Sequence, residues 1–589
     1  MTINMKKMFL GLLFLLFALF GLSGTGSAAD LSNTQGTATT PGYMTDTDGS
    51  VTGTAGSTYY NVNSWLDMFD TYKAGATGSA HQYVFNVIGD VPGSSTFYNG
   101  QGVREGSGIL IKGNQHTLYA GSNADATNNG GRYNVGFIAQ GDSSITNNTV
   151  LEIEDANVVT GYSNGIFSVS GASKAITSYK NVHYRNGGTN YGASPIRNDQ
   201  GIIRLYGNNT FDIKQPGTGL SGADNNGEWI EGGYDTEIMD GTTTLNQSWG
   251  WDQPYYNINN TASTLNIHDN ANLVWNLDYT YTMYYGSGSG PLTWNIGKNA
   301  SFKINGTKNT ASYYAKGWFM NNYNTSWTLN VADYGDYEVS TAGGGINMNS
   351  FNGGAVKWNI GKGAVVKLNN QSASHGNMIT GAAASGSAIN INDSNSFTMQ
   401  TNIGTVFDSD ANIPININGS GLRLHASTTY DGSGGASDLY KRVATGTTNG
   451  QFSSASMTPT TYSASDLSYL QTAKYIQWYT PAGMSMNAST PDRTYNVLLG
   501  ALPKDGSWSD PISGNAAMQL NFADDRGVQP NFQVQVTQLS NLTPTQTAYY
   551  WQNPDDTTAT ALSSSPYTIA TLNSDTGLPS YITMTMAGG

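Results

Sequence analysis

The sequence predicts an all-β protein: a parallel β-helix, or solenoid, with coils of about 30 residues, a short N-terminal cap helix and a smaller antiparallel β domain behind it. Three observations lead there. One short motif returns six times, with apolar residues on alternate positions, the period of a strand and not of a helix. Turn formers such as Gly297 and Gly361 separate the strands of each repeat. Only 11% of the 589 residues are charged, under half of the usual share of about 25%, so the surface is made polar by Asn, Ser, Thr and Gly.

Residues 1–29 have the plan of a secretory signal peptide. Lys6 and Lys7 form a basic start, Met8 to Leu22 an apolar stretch, and Ser27 and Ala29 stand three and one residues before a cleavage point at Asp30. The apolar stretch falls short of the ~20 residues needed to cross a bilayer. The expectation is an extracellular protein, secreted or cell-wall associated, with no membrane span after cleavage. Residues 30–58 are rich in Thr, Ser and Gly and read as a flexible lead. Asp46-Thr47-Asp48-Gly49-Ser50 is like the start of a calcium loop, but the closing glutamate is missing and a solvated turn is expected. From Asn63 to Phe69 a capping residue precedes apolar positions at helical spacing, which predicts one short amphipathic helix.

The solenoid is read over 59–426. Its clearest copies are Thr264-Leu265-Asn266-Ile267, Thr293-Trp294-Asn295-Ile296, Thr328-Leu329-Asn330-Val331, Lys357-Trp358-Asn359-Ile360, Ala388-Ile389-Asn390-Ile391 and Pro414-Ile415-Asn416-Ile417. Each asparagine is flanked by apolar residues and therefore faces away from them across the strand. A second apolar pair follows in each copy, for example Phe302 and Ile304 or Val366 and Leu368, and the sixth copy slips by one to Leu422 and Leu424. Upstream, Ile203-Arg204-Leu205 and Leu151-Glu152-Ile153 continue the pattern. Stacked coils would bring the asparagines into an amide ladder. They would also set Asp269, Lys298, Asp333, Lys362 and Asp393 in a column of alternating sign, each carboxylate beside an ammonium.

The stretch from Ser107 to Leu118, with Gly113-Asn114-Gln115-His116-Thr117-Leu118 at its end, resembles the pectate-lyase-like adhesive domain of Gram-positive surface proteins. Tyr179-Lys180-Asn181-Val182, the segment from Ile203 to Phe211, and Glu228-Trp229-Ile230 leading to Asp240-Gly241-Thr242-Thr243 extend the likeness over about residues 59–300. The resemblance implies a right-handed β-helix on a bacterial surface, used for attachment.

Catalysis is not expected. A lyase or hydrolase on this scaffold needs grouped carboxylates and a positioned base, yet Arg185, Arg197 and Arg204 have no carboxylate cluster near them in sequence. The histidines show no metal-ligand spacing, cysteine is absent, and no cofactor is implied. A net charge of −14 argues against nucleic acid. Aromatic residues between coils are the binding candidates: Tyr255, Tyr256, Tyr284, Tyr285, Tyr313, Tyr314, Trp318 and Tyr323, set among Asn, Ser and Gly. Such rings suit a host or matrix glycan or protein ligand, or else cover the core beneath long loops. The expected function is a non-catalytic, adhesin-like surface protein. The alternatives are a glycan-binding module without an adhesive role and a polysaccharide lyase or hydrolase.

Residues 427–473 read as a Gly/Ser/Thr-rich linker, and 474–589 as a β-sandwich-like domain with alternating segments around Leu520 to Phe522 and Phe532 to Val536. Asp524-Asp525-Arg526-Gly527 followed by Phe532 resembles the WxL cell-wall-binding domain, which would make peptidoglycan or the cell wall a partner.

Overall fold

The computed structural model describes residues 35–37, most of 58–480, and eight short strands between 485 and 588. Residues 1–34, with the expected signal peptide, lie outside the described residues, as do Asp46, Asp48 and connecting segments such as 122–135, 214–228, 248–254, 278–283 and 307–320. Among the described residues no helix is long and apolar enough to cross a membrane.

Strand alternation builds the solenoid directly. Leu265, Ile267, Trp294, Ile296, Leu329 and Trp358 are each at most 2% exposed, while the asparagines between them are half-buried on the outer side. One coil runs through Ser263–Ile267, turns, continues as Asn272–Leu277, then Tyr284–Gly286, and reaches the next coil at Leu292–Ile296. Equivalent strands pair in parallel with matched register, giving three faces. The first face runs from Thr58–Val62 to Ile415–Ile417. The second runs from Thr117–Ala120 to Ser396–Thr401. The third is an eight-stranded parallel sheet of short strands from Gln101–Gly102 to Asn321–Asn322.

In the central coils the bend between the first and second faces is a single left-handed residue. Asn270, Asn299 and Tyr334 hold φ of 65°, 55° and 60°, and Gly363 continues the column at 68°. Asparagine and glycine tolerate this region; tyrosine is an uncommon occupant. In the earlier coils Asp155 and Asn181 make the same bend inside the long strands Val150–Thr160 and Ile176–Asn186.

The interior carries an aromatic column. Trp275 meets Trp294 with ring centres 6.0 Å apart, Trp294 meets Trp327 at 5.6 Å, and Trp327 meets Trp358 at 5.3 Å, all edge to face. Edge-to-face contact adds about 0.5–1.5 kcal/mol per pair beyond area burial, and each large apolar side chain removed from water contributes about 1.5–3 kcal/mol. A chain with no cysteine is held by this core.

Both ends of the stack are closed. The helix Trp65–Gly75 is capped by Ser64, whose Oγ accepts the Asp67 N–H at 3.1 Å. Its buried stripe is Trp65, Met68, Phe69 and Tyr72, and the Trp65 indole donates to the Tyr119 carbonyl at 3.0 Å. Beside it, Gln35–Thr37 runs antiparallel to Thr58–Val62.

At the other end the sequence expectation is corrected. Residues 427–473 are not a bare linker, and the next domain does not begin at 474. Tyr475–Tyr479 pairs antiparallel with Ser396–Thr401 on one side and Arg423–Ser427 on the other. This insertion explains why the sixth copy slips, since its second strand does not lie on the fifth. The helix Ala464–Thr472 starts in a capping box between Ser463 and Asp466 and buries Leu470 in the solenoid core with Ala473, Ile476 and Trp478. Beyond 480 the strands are antiparallel, as expected. Ser485–Ala488, Met518–Ala523, Ile582–Gly588, Tyr549–Gln552 and Thr560–Ala561 form one sheet, and Phe532–Val536 pairs with Tyr567–Leu572.

Candidate functional site

On the outside of the first face the six asparagines form an unbroken ladder. Each Nδ2 donates to the Oδ1 one coil before it: Asn295 to Asn266, Asn330 to Asn295, Asn359 to Asn330, Asn390 to Asn359 and Asn416 to Asn390, at 2.7–2.8 Å. A carboxamide has two N–H donors and two acceptor sites on its oxygen. An interior rung spends one of each on the ladder, which leaves one of each outside it.

The ladder floors an open groove of about 700 Å³. Its floor is Asn266, Asn295, Asn330 and Asn359, and its wall is the turn row, including His268, Gly297, Ala332 and Gly361. The two wall glycines are required by close approach. A Cβ on Gly297 would meet the Asp269 nitrogen and Oδ1 at 2.7 Å, and one on Gly361 would meet the Asp333 nitrogen at 2.8 Å. The column of alternating charge behaves differently from the expectation. Asp269 accepts the backbone N–H of Lys298 at 2.7 Å, and Asp333 that of Lys362 at 2.9 Å. These carboxylates tie the turns together through main chain. The inter-coil ion pairs near here are on the second face, where Lys303 Nζ reaches Asp336 at 3.2 Å and Glu338 at 3.0 Å.

Followed upstream, the same outward column reads Glu237, Arg204, Ser178 and Glu152, matched residue by residue. Sequence separation hid this set. Arg204 Nε lies 2.7 Å from Glu237 Oε2 across a gap of 33 residues. Burial pushes the Glu152 carboxyl up to about 8, with Glu154 adding to the rise and Lys180 and Lys112 opposing it. The signal lay in the repeat itself: aligning Arg204 with the ladder position puts a carboxylate two coils before it and one coil after it. Arg197 lies 3.5 Å from Asp199, and Arg185 is exposed. Among the described residues no group of three His, Asp or Glu is placed to hold a metal ion.

The aromatic candidates are partly located. On the third face Tyr255 pairs in register with Tyr284, and Tyr256 with Tyr285. The first pair continues the column of buried Ile196 and Ile230, and the second that of Arg197. Tyr313, Tyr314, Trp318 and Tyr323 lie outside the described residues. One aromatic residue beside the groove escaped sequence reasoning: Tyr334, on the turn that carries Ala332, is 54% exposed. Its signal was a tyrosine in a turn column otherwise made of Asn, Asp and Gly.

Comparison of the chain with protein-family models, with curated proteins and with solved structures gave no match.

Proposed function

We propose that the chain is a secreted or cell-surface attachment protein, adhesin-like and non-catalytic, which holds a host or environmental ligand against the outside of its solenoid. The observation that carries this reading is the character of the groove. Its floor is a row of neutral amides, and its carboxylate at Asp269 already accepts a backbone N–H. Amides with a spare donor and acceptor on every coil recognise hydroxyl or amide groups; they do not shuttle protons at neutral pH. The upstream Arg204 is paired with Glu237 and only 6% exposed at its side chain, which suits a structural ion pair better than a base awaiting substrate. The resemblance at Ser107 to Leu118 and the leader-like residues 6–29 support the surface placement.

The test is retention of the purified chain on mucin, matrix proteins and host cells, alongside incubation with pectin. Retention on one of these surfaces, without new unsaturated-uronide absorbance from pectin, is the expected result. Depolymerisation of pectin, or retention on none of the surfaces, overturns the reading.

A further inference from the structure

We infer that the groove takes an uncharged polysaccharide chain lying along the solenoid axis, with the Tyr334 ring as the face on which a sugar stacks. This deepens the attachment reading and rests on it. Four observations converge. The floor repeats with the strand spacing of about 4.8 Å, which suits a polymer of extended pyranose units better than a compact ligand. Each interior rung offers one N–H and one oxygen lone pair, the complement of a hydroxyl that both donates and accepts. The floor bears no charge, so a uronate finds no counter-ion on it, and the carboxylate of the lining, Asp269, already accepts the Lys298 N–H. The strands beneath are paired on both sides, so an extended peptide cannot add by main-chain bonding and would meet side-chain amides alone.

Tyr334 supplies the apolar half of the recognition. It stands two residues beyond the wall residue Ala332, at the margin of the groove and outside its lining, with its backbone N–H donated to the Lys362 carbonyl at 2.9 Å. Its ring lies against Gly363, where a Cβ would meet Cδ1 and Cε1 at 2.5 Å. The φ of 60° is costly for tyrosine, and the register neighbours Asn270 and Asn299 show the residue that the turn prefers. Backbone strain kept at an exposed aromatic beside a polar groove is the pattern of a binding residue.

The test titrates the full chain by calorimetry with cello-, manno- and β-galacto-hexaose, with an oligogalacturonate of equal length, and with a hexaglycine peptide. At least one neutral hexasaccharide should bind with little dependence on salt. Tyr334→Asn should weaken that binding about tenfold, the equivalent of one lost stacking contact. The same variant should keep or raise the thermal midpoint, because asparagine suits the turn. Asn330→Ala should weaken binding as well. Binding of the galacturonate or the peptide alone, binding of no neutral hexasaccharide, or full affinity in Tyr334→Asn overturns the inference. If the wild-type chain attaches to surfaces yet binds no neutral hexasaccharide, the inference falls and the attachment reading stands. If it binds the sugars but attaches to nothing, the attachment reading falls.

Discussion

One outward column of the first face has two characters. From Asn266 to Asn416 it is neutral, half-buried and bonded amide to amide. From Glu152 to Glu237 it is charged and mostly buried, with Glu152 and Arg204 only 6% and 5% exposed. Stacking at about 4.8 Å forces each residue against its own equivalents. A column of identical residues is then stable only if the residue is self-complementary, as asparagine is. Where the column is charged it must alternate in sign, be spaced by neutral residues such as Ser178, or keep a proton, and the upstream coils use all three.

Four measurements can break or sharpen that contrast. The largest effect is expected at Arg204→Ala, which leaves the Glu237 carboxylate unpaired at 17% side-chain exposure. Loss of one partner of a buried pair costs about 3 kcal/mol or more, and urea unfolding should show it. The second is a pH dependence confined to the upstream coils. The Glu152 carboxyl loses its proton near 4.5 when unfolded but near 8 when folded. Between these values the folded state binds the extra proton, so stability falls as pH rises through the window. Hydrogen-exchange protection, taken relative to the intrinsic rate at each pH, should therefore fall in Val150–Thr160 between pH 5 and pH 8 but not in Trp327–Val331, and Glu152→Gln should remove the difference.

The third lies on the ladder. Asn330→Asp still accepts from Asn359 but no longer donates to Asn295, at a cost of about 1 kcal/mol. Adding Asn359→Asp should cost more than the two singles together, because like charges then stack. If the double variant is merely additive, self-complementarity is not what shapes the column. The smallest effect is expected at Lys303→Ala. Its side chain is 41% exposed, and the loss of its pairs to Asp336 and Glu338 should stay below about 1 kcal/mol and fade with salt.

The ladder and the core beneath it were legible because each rung repeats its residue type and the strand period names its direction. Asn266 through Asn416 could be aligned by eye, and the flanking residues declared the inside. What failed had no such repetition. The third face is made of strands as short as Gln101–Gly102 and Tyr255–Asn257, too brief to show alternation. The C-terminal closure was hidden because Tyr475–Tyr479 inserts between strands some 50 or more residues before it, and the glycine- and serine-rich stretch ahead of it resembled a linker. The Lys298 and Lys362 partners were misread because side-chain charge was compared with side-chain charge, whereas the carboxylates reach main chain. Arg204 looked isolated because its partner is one whole coil away.

The reversed strands at the two ends set the length of the protein. A parallel stack is an open template at both edges, and another extended chain running the same way could add to it without limit. Here Gln35–Thr37 and Thr448–Asn449 run against the end strands of the first face, and Tyr475–Tyr479 against the last strand of the second, so a copy arriving in parallel meets the wrong direction. The first face therefore stops at thirteen strands, from Thr58–Val62 to Ile415–Ile417. Twelve steps of about 4.8 Å make a rod of about 60 Å. The molecule is a ruler of fixed span, and the reach of anything bound along it is decided by the chain, not by how many copies happen to meet.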